Sequence, residues 1–178
     1  MKRPVASLLR SHRSDLGAAL TELPIFLFFV FIVVALPLLG LATLAYRDAL
    51  FAFAVKNAAS EAAKAPSFHA AQAVAAAKVS QGCGPFTGIT VRTCQVSIIS
   101  KNLTTAVETE YTTALNPATI DSHSNLYFVK VTANGLITPM VMGVGTSFWS
   151  FPIPGFTAPY PLNASSQVFF ERPKGLST

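Results

Sequence analysis

The chain divides by its pattern of apolar and polar positions before any single residue is considered. From Leu23 to Tyr46 no side chain carries a charge, and Glu22 and Arg47 stand at the two ends of that run. At a rise of about 1.5 Å per residue the run makes a helix of roughly 36 Å, more than the ~30 Å hydrocarbon core of a bilayer. The pattern predicts a helix that crosses a membrane with some tilt. Two prolines interrupt it. Pro24 lies near the start, where a missing N–H costs little, and Pro37 lies in the interior, where the ring should kink the helix or open one hydrogen bond.

Beyond Arg47 the alphabet changes to alanine punctuated by Lys56, Glu61 and Lys64. Such a composition favours helix, with a thin apolar stripe through Leu50, Phe53 and Val55, so the membrane helix is expected to continue past the bilayer. Pro66 should break it. A second alanine-rich helix is expected from His69 to about Val79, ending before Gly82-Cys83-Gly84-Pro85. The texture then turns to strand: Ile89 to Ile99 and Leu126 to Ala133 are rich in branched residues. Leu162 to Glu171 alternates, with Leu162, Ala164, Val168 and Phe170 on one face and Asn163, Gln167 and Glu171 on the other. Thr- and Asn-rich connections fill 102–125, and a Pro/Gly/aromatic stretch fills 139–161. The expected class is α+β: a long N-terminal helix, an alanine-rich extension, and a small antiparallel sheet packed on the exposed part of the helix. The expected organisation is a leader at 1–17, a transmembrane helix at 18–46, a helical extension at 47–80 and a β-rich domain at 81–178.

Charge adds a direction. The formal net charge is +5, and Lys2, Arg3, Arg10 and Arg13 all precede the apolar run. Placed there, they read as a signal that keeps the N-terminus cytoplasmic and sends the rest across the membrane. Basic residues interleaved with aromatic ones are absent, so no nucleic-acid partner is expected. Cys83 and Cys94 fall in the part expected to be exported, where an oxidising compartment permits a disulfide worth roughly 3 kcal/mol in the chain-entropy model. Two free thiols are the other reading. One pair is too few for a zinc site, and no histidine stands at ligand spacing from it.

Between the basic leader and the apolar run lies Gly17-Ala18-Ala19-Leu20-Thr21-Glu22. A glycine offers a peptidase no side chain to obstruct it. A carboxylate at the edge of a lipid-spanning helix is expensive and needs a compensating role. The segment resembles the type IV prepilin signal. The resemblance implies a membrane-embedded prepilin peptidase that cuts between Gly17 and Ala18. It makes Glu22 the fifth residue of the mature chain, able to pair with the new α-amino cation at Ala18 of its own or a neighbouring chain. Within that superfamily the chain is most similar to TadE-like minor pilins of tight-adherence (Tad, or Flp-type) systems, on the Gly-Ala-Ala-Leu-x-Glu start, the internal proline, the alanine-rich extension and the alternating C-terminal strand. Other pilins, an inner-membrane assembly platform and membrane lipid are the partners this implies. Two departures stand out. Leu23 follows the glutamate where the short major Flp pilins have tyrosine, and the chain is far longer than those subunits, so a minor or initiating role is implied. Type II secretion pseudopilins share the glycine and glutamate, but they usually begin the mature chain with phenylalanine, not with a residue like Ala18.

Other candidates read as structure. Asp121-Ser122-His123 is contiguous, whereas a nucleophilic triad is assembled from distant positions, so a polar turn is expected. His12, His69 and His123 are scattered, which argues against a metal site. Glu108 and Glu110 read as alternating positions in an exposed strand or loop. Asn102-Leu103-Thr104 and Asn163-Ala164-Ser165 match the glycosylation sequon, which matters only in a eukaryotic secretory pathway. The aromatic cluster 148–156 reads as a core plug or a contact surface. No enzymatic activity and no cofactor are expected. The rival readings are a permanently membrane-anchored envelope binding protein, a type II secretion pseudopilin, and a cleaved secretory signal ending near Ala45.

Overall fold

The computed structural model describes residues 22–138 and 158–170. It forms two compact units that divide between Leu41 and Ala42. One helix, α1, spans Glu22–Ala62 and is long and apolar enough to cross a membrane. Its ladder widens to a π-helical turn at Phe31–Ala35 and returns to α-helix at Leu36. Pro37 accounts for the position of that turn. Proline has no N–H to give to the carbonyl four residues earlier, that of Val33, and its ring crowds that carbonyl. The wide turn contains Val33, so the ladder is relaxed where an ideal α-helix would clash.

In the second unit, α1 buries Phe51, Ala54, Val55, Ala58, Ala59 and Ala62, the three-and-four spacing of a single helical face. This corrects the expected stripe in part: Val55 is buried as expected, and the other two members are not. Leu50 is half-buried and Phe53 is 69% exposed, while Phe51 is fully buried. The largest side chains pointed to the wrong phase because the true face is built mostly of alanines. Small residues are needed there: a Cβ on Gly82 would stand 2.8 Å from the Cβ of Ala54, so two helices meet closely at that point.

Helix α1 closes with tight turns in which Lys64 N–H donates to Glu61 and Ala65 N–H to Ala62. After Pro66, the Ser67 hydroxyl accepts from Ala70 N–H at 3.2 Å and caps α2, Phe68–Cys83. Helix α2 buries Phe68, Ala71, Ala75, Val79 and Cys83. Four strands follow: β1 (Ile89–Asn102), β2 (Glu108–Tyr111), β3 (Asn125–Ile137) and β4 (Tyr160–Phe169). They form one antiparallel sheet in the order β2-β1-β3-β4. The three expected strands are present, and β2 is an addition within what reads as a connection. The alternation foreseen in β4 holds: Leu162 and Phe170 are buried and Ala164 and Val168 half-buried, while Asn163 and Gln167 are exposed.

A β-bulge between Val91 and Thr93 explains why β1 alternates imperfectly. The extra residue shifts the pleat, so that Val91 on one side of it and Cys94 on the other both pack against the same core. That core joins the buried faces of α1 and α2 to Val96, Ile98, Val129, Val131, Ile137 and Leu162 of the sheet. The helical extension and the sheet are thus one packed body, not a stalk and a separate head.

Candidate functional site: the apolar helix and its ends

Of the residues that carry the processing motif, Gly17 and Ala18 lie outside the described residues, as do the basic leader and the aromatic cluster at 148–156. Glu22 is an exposed residue at the start of α1, and among the described residues it makes no ion pair. Beyond it every large apolar side chain from Leu23 to Val34 is exposed, as are Leu38, Leu39 and Leu41. Glu22 is the lone carboxylate on a segment that is otherwise apolar on all sides, an arrangement favourable only where lipid or other apolar helices supply the surroundings. Pro24 sits within the helical turn that follows, where its missing N–H falls among the first residues of the described helix.

The other end of the uncharged run is held differently. The Arg47 guanidinium donates from Nη1 to the carbonyl of Thr138, and Thr138 N–H donates to the carbonyl of Gly88 at 2.8 Å. Gly88 has φ +90°, and a Cβ there would lie 2.8 Å from Cζ and Nη1 of Arg47. Its backbone conformation favours glycine, and an added side chain would also push the guanidinium aside. The first charge after the apolar run is therefore fixed to the turn before β1 and the end of β3. The sequence marked Arg47 only as a boundary. Gly88, at the turn before a strand, was the available sign of a close approach.

Cys83 and Cys94 are free thiols in this structure. Cys83 is buried at the end of α2 and Cys94 half-buried on β1, both packed into the common core. Each acts there as a small apolar group, and burial pushes both thiols above their ordinary pKa, which suppresses the reactive thiolate. Asp121 is used locally: its Oδ1 accepts from His123 N–H at 2.9 Å and from Ser124 N–H at 3.4 Å, and hydrogen bonds from Ser124 and His123 hold its carboxyl below the ordinary range. Asp121-Ser122-His123 is a capped turn, as expected. Among the described residues no group of His, Cys, Asp and Glu is placed to hold a metal ion. Glu110 accepts from the Ser97 hydroxyl at 2.6 Å and pairs with Lys130 at 3.2 Å, and these contacts, Ser97 first, lower its carboxyl pKa.

Compared with known proteins, the chain matches no family model, no curated protein and no solved structure.

Proposed function

We propose that the chain is a prepilin-like, single-pass membrane subunit that takes part in assembling a Tad-type pilus as a minor pilin. In this reading the leader stays cytoplasmic, a prepilin peptidase cuts between Gly17 and Ala18, and the α+β unit is exported. The uncharged half of α1 is first solvated by lipid and then by the helices of other subunits. The observation that carries it is the position of Glu22: a carboxylate at the mouth of a helix that is apolar all round, five residues after a glycine that follows a basic leader. Cleavage supplies the cation that makes the carboxylate tolerable, because an amine and a carboxylate attract strongly in apolar surroundings. The alanine-rich continuation of the helix then serves as the floor on which the sheet is built. The mature N-terminus tests this. Mass spectrometry of the chain made beside an active prepilin peptidase should find it beginning at Ala18, and at Met1 when Gly17 is replaced by leucine. A wild-type chain still beginning at Met1 beside that peptidase overturns the reading.

A further inference from the structure

The inner face of the sheet changes chemistry along its length. Beneath the helices it presents Val96, Ile98, Val129 and Val131, all in the core. Past Ile98 the same face presents Ser100 and Asn102 from β1, Thr109 and Tyr111 from β2, and Asn125 and Tyr127 from β3, which line a cavity of about 350 Å³. That is within the range of small-molecule sites.

Pleating separates charge from this cavity. Lys101 lies between Ser100 and Asn102, so it points to the opposite face, where it pairs with Glu108 at 2.9 Å. Glu108 and Glu110 alternate with Thr109 and Tyr111 in the same way, and Glu110 is held by Ser97 and Lys130 on that reverse face. The cavity lining contains no charged side chain. A carboxylate, phosphate or ammonium ligand would enter without a counter-charge, which is unfavourable.

The frame is fixed by internal hydrogen bonds. Asn102 donates from Nδ2 to Asn125 Oδ1 at 3.2 Å, and its Oδ1 accepts from the N–H groups of Thr104 and Thr105, both at 2.9 Å. The Tyr127 hydroxyl accepts from Asp121 N–H at 3.1 Å and ties down the neighbouring loop. Four hydroxyls are left over: those of Ser100, Thr105, Thr109 and Tyr111 have no hydrogen-bond partner among the described residues. Each can donate and accept. Tyr111, 38% exposed, adds an aromatic ring to the lining.

We infer that this cavity binds a neutral saccharide. Ring hydroxyls of a hexose both donate and accept, as the four free hydroxyls and the Asn125 amide do. The apolar C–H face of a pyranose suits the tyrosine ring, and the absence of charge selects against acidic and phosphorylated sugars. A peptide side chain is a poorer fit, because the wall offers no apolar socket: its aliphatic members are Val107, at the exposed turn, and Leu115, already buried. The inference is independent of the proposed pilus role.

The full chain, held in a detergent without a sugar headgroup, is to be titrated by saturation-transfer NMR and calorimetry with glucose, galactose, N-acetylglucosamine, maltose and lactose. Sialyllactose and a hexose phosphate serve as charged controls. At least one neutral sugar should bind more tightly than either charged one. Thr109→Val, which keeps shape and removes a hydroxyl, should weaken it about fivefold to tenfold, roughly one net hydrogen bond. Tyr111→Phe, at an exposed position where folding is not at stake, should weaken it by a similar factor with an unchanged thermal midpoint. No binding by any neutral sugar, tighter binding of a charged one, or equal affinity in wild type and both variants overturns the inference.

Discussion

The two halves of α1 use related residues for opposite ends. Between Leu23 and Val34 every large apolar side chain is exposed, on all sides of the helix. Between Ala42 and Ala62 the helix has one buried face, and its far side carries Phe53, Lys56 and Asn57. Phe28 and Phe53 show the contrast: both are about two-thirds exposed, at 67% and 69%, yet one lies in an uninterrupted apolar surface and the other on a face shared with Lys56 and Asn57. Total hydrophobicity separates the halves poorly. Periodicity does it: a helix apolar all round has no partner in its own chain and requires lipid or other chains, whereas a one-sided helix has its partner in the sheet.

Four substitutions sharpen this contrast, the largest effect first. Phe51→Ala should destabilise the packed unit by about 3–5 kcal/mol, since it empties a fully buried ring site over Gly135, while Phe53→Ala should change it by less than about 0.5 kcal/mol. Denaturant titration followed by circular dichroism would measure both, and equal effects would mean the helix face is misplaced. Gly88→Ala should cost about 1–3 kcal/mol, because alanine resists φ +90° and its methyl displaces the Arg47 guanidinium from Thr138. Exchange of the Thr138 amide should speed up in the same variant. Glu110→Gln should cost less than about 1 kcal/mol at neutral pH, as expected of a half-exposed pair. The folded-state pKa of Glu110 lies below its ordinary 4.5. Its contribution is therefore present above that value and lost as pH falls through the lower folded value, so wild type and variant should converge in stability on acidification. A difference that persisted in acid would place the effect elsewhere.

Much of this was legible in the chain, and the gaps have physical causes. The uncharged run from Leu23 to Tyr46 and the breaks at Pro66 and Gly84 act locally, through solvation and backbone chemistry, so α1, the start of α2 and the turn before β1 could be read directly. The buried face of α1 could not, because alanines carry little weight in any periodicity while Phe53 carries much. Strand β2, with the sequence Glu-Thr-Glu-Tyr, has no buried residue and forms because it lies against Ile98–Lys101 of β1. Its pattern is set by a partner distant in sequence. The bulge at Arg92 was hidden for the same reason, since only pairing with β3 reveals the additional residue. At the candidate site, Glu22 was legible as an acid beside an apolar run. The fixing of Arg47 was not, because it depends on Gly88 and Thr138 arriving from other parts of the chain.

The most direct test of the contrast within α1 is a matched pair of labels. Phe28→Cys and Phe53→Cys each carry an environment-sensitive fluorophore, with the chain reconstituted in lipid vesicles; Cys83, buried, and Cys94, half-buried, are both replaced by alanine so that only the introduced thiol is labelled. The label at 28 should be quenched by brominated acyl chains and ignored by aqueous iodide, and the label at 53 should show the reverse. Iodide quenching of both labels to the same extent would contradict the account.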